Sequence, residues 1–129
     1  MLALSVRQPW ANLIASGVKT IELRSWATDH RGPLAICAGK EIDREGAARM
    51  RSPASDLRPR GAVVCLVDLV EIRPLERRDW KAACAPSFSG SDLGFLWAWL
   101  LKNPRRVELM AVQGQLGLFE IGDVRVRDA

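Results

Sequence analysis

The chain has 129 residues, 48% of them hydrophobic, and 19 Lys plus Arg set against 15 Asp plus Glu give a formal net charge of +4. That composition excludes disorder as the main state, no stretch approaches the roughly 18 apolar residues of a membrane span, and the length fits one domain over residues 1–129. Three cysteines without a Cys-x-x-Cys pair, and a single histidine, do not supply the four ligands of structural zinc. Cys37 and Cys65 lie in apolar runs, where a free thiol behaves as a small hydrophobe. No basic leader precedes an apolar stretch at the N-terminus. The expectation is a reduced, soluble, cytoplasmic protein without cofactor or metal. Fifteen of the 19 cations are arginine. Arginine is the better fork for phosphate and stacks on bases, although codon bias gives the same excess.

Residues 2–7 alternate, with Leu2, Leu4 and Val6 on one side, and read as a half-buried strand. Pro9 opens a short helix over residues 9–16, carried by Trp10, Leu13 and Ile14 and closed by Gly17. Residues 19–26 alternate again: Thr20, Glu22, Arg24 and Trp26 share one face and Lys19 the other, unless a bulge near Thr20 re-aims it. A turn at 31–33 leads to an apolar strand over 34–38, and Asp43 caps a short helix over 43–50. Residues 51–61 read as an exposed loop and 62–73 as the longest strand, rich in valine and isoleucine. Residues 76–85 are weakly helical and 86–94 a loop. Residues 95–101 fit strand or helix and end at Asn103-Pro104; 107–112 and 116–121 are short strands, and a charged tail covers 123–129. Helices do not alternate regularly with strands, which argues against a doubly wound sheet and for a small mixed or antiparallel barrel with peripheral helices.

The densest polar cluster lies in Gly17–Trp26. Lys19, Glu22 and Arg24 have the chemistry to recognise a phosphate and a base edge, to depress a lysine pKa or to hold a general base; a solvated, salt-bridged strand is the plain alternative. Ser5, Arg7, Gln8 and Trp10 gather where a strand meets Pro9, and element ends carry function. Trp26 beside Arg24 suits base stacking, and a packing role suits it equally. His30-Arg31-Gly32 holds the lone histidine. No nucleophile elbow, Walker loop or dinucleotide glycine pattern occurs. Arg49, Arg51, Arg58, Arg60 and the pair Arg105-Arg106 are an electrostatic footprint or ordinary surface.

These residues carry a resemblance. Leu4-Ser5-Val6-Arg7-Gln8-Pro9-Trp10-Ala11, followed by a complete Gly-x-Lys-x-x-Glu-x-Arg at Gly17, Lys19, Glu22 and Arg24, resembles the ASCH domain family, named for homology to the activating signal cointegrator. The tracts 30–36, 61–70 and 112–119 and the pair Asn103-Pro104 look like the family's later strands. The resemblance implies a mainly β, α+β fold: a PUA-like mixed barrel of about five to seven strands with short helices around a cleft. The family is associated with nucleic-acid binding, with an amidohydrolase acting on N4-acetylcytidine, and with ribonuclease activity. The cointegrator-like version is the most similar, which implies a largely non-sequence-specific RNA- or DNA-binding module acting as a monomer. Its implied contacts are Ser5, Arg7, Gln8, Trp10, Lys19, Glu22, Arg24, Ser25, Trp26, His30, Arg31 and Lys40. As an enzyme it would use Lys19 and Glu22. The chain departs from the amidohydrolase pattern, since Glu22 occupies the position of that enzyme's threonine, three residues after the lysine, and Thr20 follows Lys19 directly. Gln113-Gly114-Gln115 stands where relatives often carry Lys-Gly-Lys. A small adaptor for a protein or metabolite is the third reading.

Overall fold

In the computed structural model, which describes residues 1–127, the alternating N-terminal segment is strand β1, Leu2–Gln8. It leads through a cis Gln8–Pro9 peptide into helix α1, Trp10–Ala15. Six residues with no side-chain cap cannot hold a helix by propensity alone. Burial of Ala11, Ile14 and Ala15 against Leu4, Ile36, Val67 and Trp99 supplies what propensity lacks. Strand β2 is only Ile21–Arg24, and β3 runs Gly32–Ile42. Asp43 caps α2, Arg44–Arg49, by accepting from the Gly46 N–H, as its position predicts. The loop at 51–61 contains one helical turn, α3, Ala54–Leu57. Strand β4 spans Ala62–Pro74, and the weakly helical stretch narrows to a 3-10 turn at Arg77–Trp80. Helix α4, Gly90–Phe95, lies in the segment expected to be loop; its signal is the reciprocal Ser89 and Asp92 capping box. Strand β5, Trp97–Ala111, and β6, Leu118–Glu120, complete the order.

The strands form one sheet in the order β2-β5-β4-β3-β1-β6, parallel between β1 and β3 and antiparallel elsewhere. The strand count and peripheral helices agree with the sequence reading, but the barrel is corrected: the sheet is open. Its edge strands, of four and three residues, do not pair with each other. The β2 edge meets residues 82–88 instead, where Thr20 and Ile21 donate to the Ala82 carbonyl and Ile21 packs with Leu75, Ala83, Phe88 and Ala98. Asn103-Pro104 does not end a strand either. Leu66 pairs with Arg105 and Asp68 with Lys102, so Asn103 and Pro104 fall inside a bulge. There Pro104 owes the ladder no N–H, and Asn103 takes a left-handed φ of 55°.

Apolar residues line both faces of the central strands. One face packs under α1, and on the other Ala3, Ala35, Cys37, Val63 and Phe119 form a second cluster. Burial pushes the Cys37 thiol up to about 11 and Cys65 up to about 12. The unfolded chain therefore ionises these thiols from about pH 9 while the folded chain holds their protons. Stability is then lost as pH rises, by roughly 1.4 kcal/mol per thiol for each pH unit between 9 and 11. A Cys37→Ala/Cys65→Ala protein is expected to lose about 3 kcal/mol less than the wild type between pH 8 and pH 10 in urea unfolding. Parallel losses in the two proteins would refute the assignment.

Candidate functional site

Gly17, with φ 81°, ends α1 by turning the chain back, and the N–H groups of Val18 and Lys19 both donate to the Leu13 carbonyl. Lys19 therefore precedes β2, and strand alternation does not govern its side chain. Its Nζ lies 3.7 Å from Glu22 Oε1, on the face where alternation alone would not have put it. Glu22 and Arg24 do alternate as strand neighbours. Glu22 Oε2 accepts from Arg24 Nε at 3.1 Å and Nη2 at 2.9 Å, and Nη2 also donates to the Ser5 carbonyl at 2.8 Å. Lys19 Nζ donates to the Ala83 carbonyl at 2.6 Å.

Lys19 and Glu22 are only 5% and 7% exposed, which places a Lys–Glu–Arg chain in a low-dielectric setting. Burial lowers the Lys19 pKa, opposed by the Glu22 carboxylate, which pulls it up. The ammonium also stands 5.3 Å from the Trp10 ring centroid, and the Arg49 guanidinium 5.5 Å from the same ring. Trp10 Nε1 donates to Asp43 Oδ2 at 3.0 Å. The Asp43 carboxyl is held below its usual range, first by the Gly46 N–H and then by Trp10. Arg49 Nη2 donates to the Cys84 carbonyl at 2.7 Å, joining α2 to the segment after the 3-10 turn.

Gly46 is needed at this junction, because a Cβ there would overlap Trp10 Cζ2 and lie 2.8 Å from Asp43 Oδ2. Gly46→Ala is expected to move α2 off Trp10 at a cost of about 1–3 kcal/mol. It should also displace Arg49 from the Cys84 carbonyl. An unchanged urea midpoint would contradict this packing.

These groups border a cavity of about 620 Å³. Of the residues expected from sequence, Ser5, Arg7, Trp10, Lys19, Glu22, Arg24, Ser25 and Trp26 line it. Trp26 is held edge-on to the buried Trp99, with ring centroids 4.9 Å apart. Four other expected residues lie away from the lining. Gln8 is fully buried beneath the turn, donating to the Pro59 carbonyl and accepting from the Asn12 N–H. His30 contacts the Pro33 carbonyl, and Arg31 donates to the carbonyls of Thr28 and His30, so both brace the β2–β3 loop. Lys40 is exposed near the end of β3.

Arg49, Cys84 and Phe95 line the cavity and were not among the expected contacts. Arg49 carried a signal only as part of a basic segment. Cys84, in the left-handed region at φ 58°, and Phe95 carried none. Among the described lining residues four are cationic and one, Glu22, is anionic. No group of three or more His, Cys, Asp or Glu side chains suited to a metal occurs among the described residues.

The fold is an open mixed sheet with short helices, and the cavity that it positions is cationic. The ASCH domain model matches residues 4–111, and the chain belongs to the ASCH domain family, which is linked to RNA binding. Among curated proteins it is similar to activating signal cointegrator 1 of Homo sapiens, at 32% identity over 115 residues, and to that of Mus musculus at 31%. Each alignment covers 81% of this chain but only 19% of the relative's length. Among solved structures it is similar to ASCH from Zymomonas mobilis, with a TM-score of 0.64 at 17% identity, covering 94% of this chain and 87% of the other. No helix among the described residues is long and apolar enough to cross a membrane.

Proposed function

We propose that the chain is a nucleic-acid-binding module that holds unpaired RNA or DNA at this cavity, largely without regard to sequence. The observation that carries the reading is the excess of four cationic side chains over one carboxylate in a cavity walled by Trp10 and Trp26. Cations along a groove with aromatic stacking surfaces are what a single strand requires. Arg7, Arg24 and Arg49 contact phosphates. Glu22 orients Arg24 and presents Oε1 to a base amino group, and Trp26 stacks on or walls the base. Single-stranded 12-mers of RNA and DNA, titrated by fluorescence anisotropy, should bind saturably. With three phosphates engaged, the slope of log affinity against log salt should be about −2. Absence of saturable binding at 50 mM salt would sink the reading.

One observation favours a second reading, a hydrolase of a modified nucleoside: Lys19 has its pKa lowered by burial next to a carboxylate, as a general base requires. Thr20 does not line the cavity, so it does not stand in for the amidohydrolase threonine. Release of acetate from N4-acetylcytidine, abolished in Lys19→Ala, would establish this reading; no release would remove it.

A further inference from the structure

Two exposed aromatics, Phe95 on the cavity lining and Trp97 opposite Arg24 in the sheet, take no part in the contacts proposed within the cavity. Phe95, at the end of α4, lines the cavity and is 65% exposed. Trp97, two residues on, opens β5 and is 36% exposed. In the β2–β5 ladder Trp97 is the register partner of Arg24, and directly opposed residues share a sheet face. Arg24 uses Nε and Nη2 on Glu22 and Ser5, while its Nη1 makes no hydrogen bond among the described residues. A cationic donor with spare capacity thus stands between the polar interior and the aromatic ledge.

We propose that Phe95 and Trp97 stack the base adjoining the one held in the cavity, with the linking phosphodiester on Arg24 Nη1. The occupant is a second unpaired nucleotide, because a bare base offers the π-face that exposed aromatics accept and the linking phosphate is the anion that a guanidinium edge accepts. The ledge is continuous with the cavity through Phe95 and with its charge through Arg24. This inference rests on the nucleic-acid reading of the cavity and extends it from one nucleotide to two.

The test compares adenosine 5′-monophosphate with the dinucleotide pApA by isothermal titration calorimetry, for the wild type, Phe95→Ala and Phe95→Trp. The wild type should bind pApA at least about tenfold more tightly than the mononucleotide, the size of one stacking contact. Phe95→Ala should reduce that gain to below about threefold, and Phe95→Trp should keep it. Phe95 is mostly exposed, so its truncation should leave the urea midpoint in place. Equal affinity of the wild type for both ligands, or a gain retained in Phe95→Ala, would overturn the ledge while leaving the cavity reading intact. No binding of either ligand or of the 12-mers would overturn both.

Discussion

Glu22→Ala is expected to destabilise the fold by about 3–5 kcal/mol, the range for removing one partner of a buried ion pair. Glu22 is the one carboxylate among the described lining residues; it faces Lys19 and Arg24 and accepts two of the three hydrogen bonds that Arg24 makes. Without it, Lys19 keeps the Ala83 carbonyl and the Trp10 face at 5% exposure. Because Glu22 raises the Lys19 pKa, its loss lowers that pKa further.

Lys19→Met behaves oppositely. It removes a buried charge, leaves Glu22 paired to Arg24, and should leave stability equal or higher at pH 7. The sign with pH follows from burial. Between its lowered folded pKa and the ordinary 10.5, the unfolded chain keeps a proton that the folded chain has released. Stability from this group therefore rises with pH across that window, and the advantage of Lys19→Met shrinks as pH approaches 10.5. Urea unfolding of both proteins at pH 7 and pH 9 reads this directly, since the Cys37 and Cys65 ionisations are common to both. A Lys19→Met protein that loses several kcal/mol would show the lysine to be a structural strut.

Trp99→Ala is expected to cost about 3–5 kcal/mol by leaving a cavity the core cannot close. Trp99 is fully buried in β5 among the residues that pack under α1, so its removal also loosens the short helix. Its second role is to fix Trp26. The two rings meet at 81°, and Trp99 Nε1 donates to the Trp26 carbonyl at 3.2 Å. Trp99→Phe keeps most of the apolar volume but leaves that carbonyl without its donor, at about 1–2 kcal/mol. It should therefore weaken RNA binding several-fold in a protein that still folds, matching the direction of Trp26→Ala. Unchanged affinity in Trp99→Phe alongside a loss in Trp26→Ala would show that Trp26 keeps its position unaided.

The signature from Gly17 to Arg24 was readable because family membership and strand alternation agree on Glu22 and Arg24. The same alternation misplaced Lys19. The turn at Gly17 delays β2 to Ile21 and frees Lys19 from the strand's geometry, and a hydrogen bond to Ala83, 64 residues away, draws its ammonium in. Gln8, His30 and Arg31 matched motif positions yet serve the turns around the cavity. Their hydrogen bonds go to backbone carbonyls that no local pattern shows.

Composition by itself pointed to a folded chain, since that is a question of residue type and number. Local pattern determined β1, α1, the Asp43 cap and the long strand β4, because period and capping chemistry are properties of neighbouring residues. Three features were decided only by the tertiary structure: the open sheet, the passage of β5 through Asn103-Pro104, and the meeting of Arg49, Cys84 and Phe95 with Lys19 around one cavity. Each depends on contacts between residues far apart in sequence: the cover over the β2 edge, the bulge against β4, and the bond from Arg49 to the Cys84 carbonyl. The net charge of +4 set no location for function; folding concentrates four cations around one carboxylate.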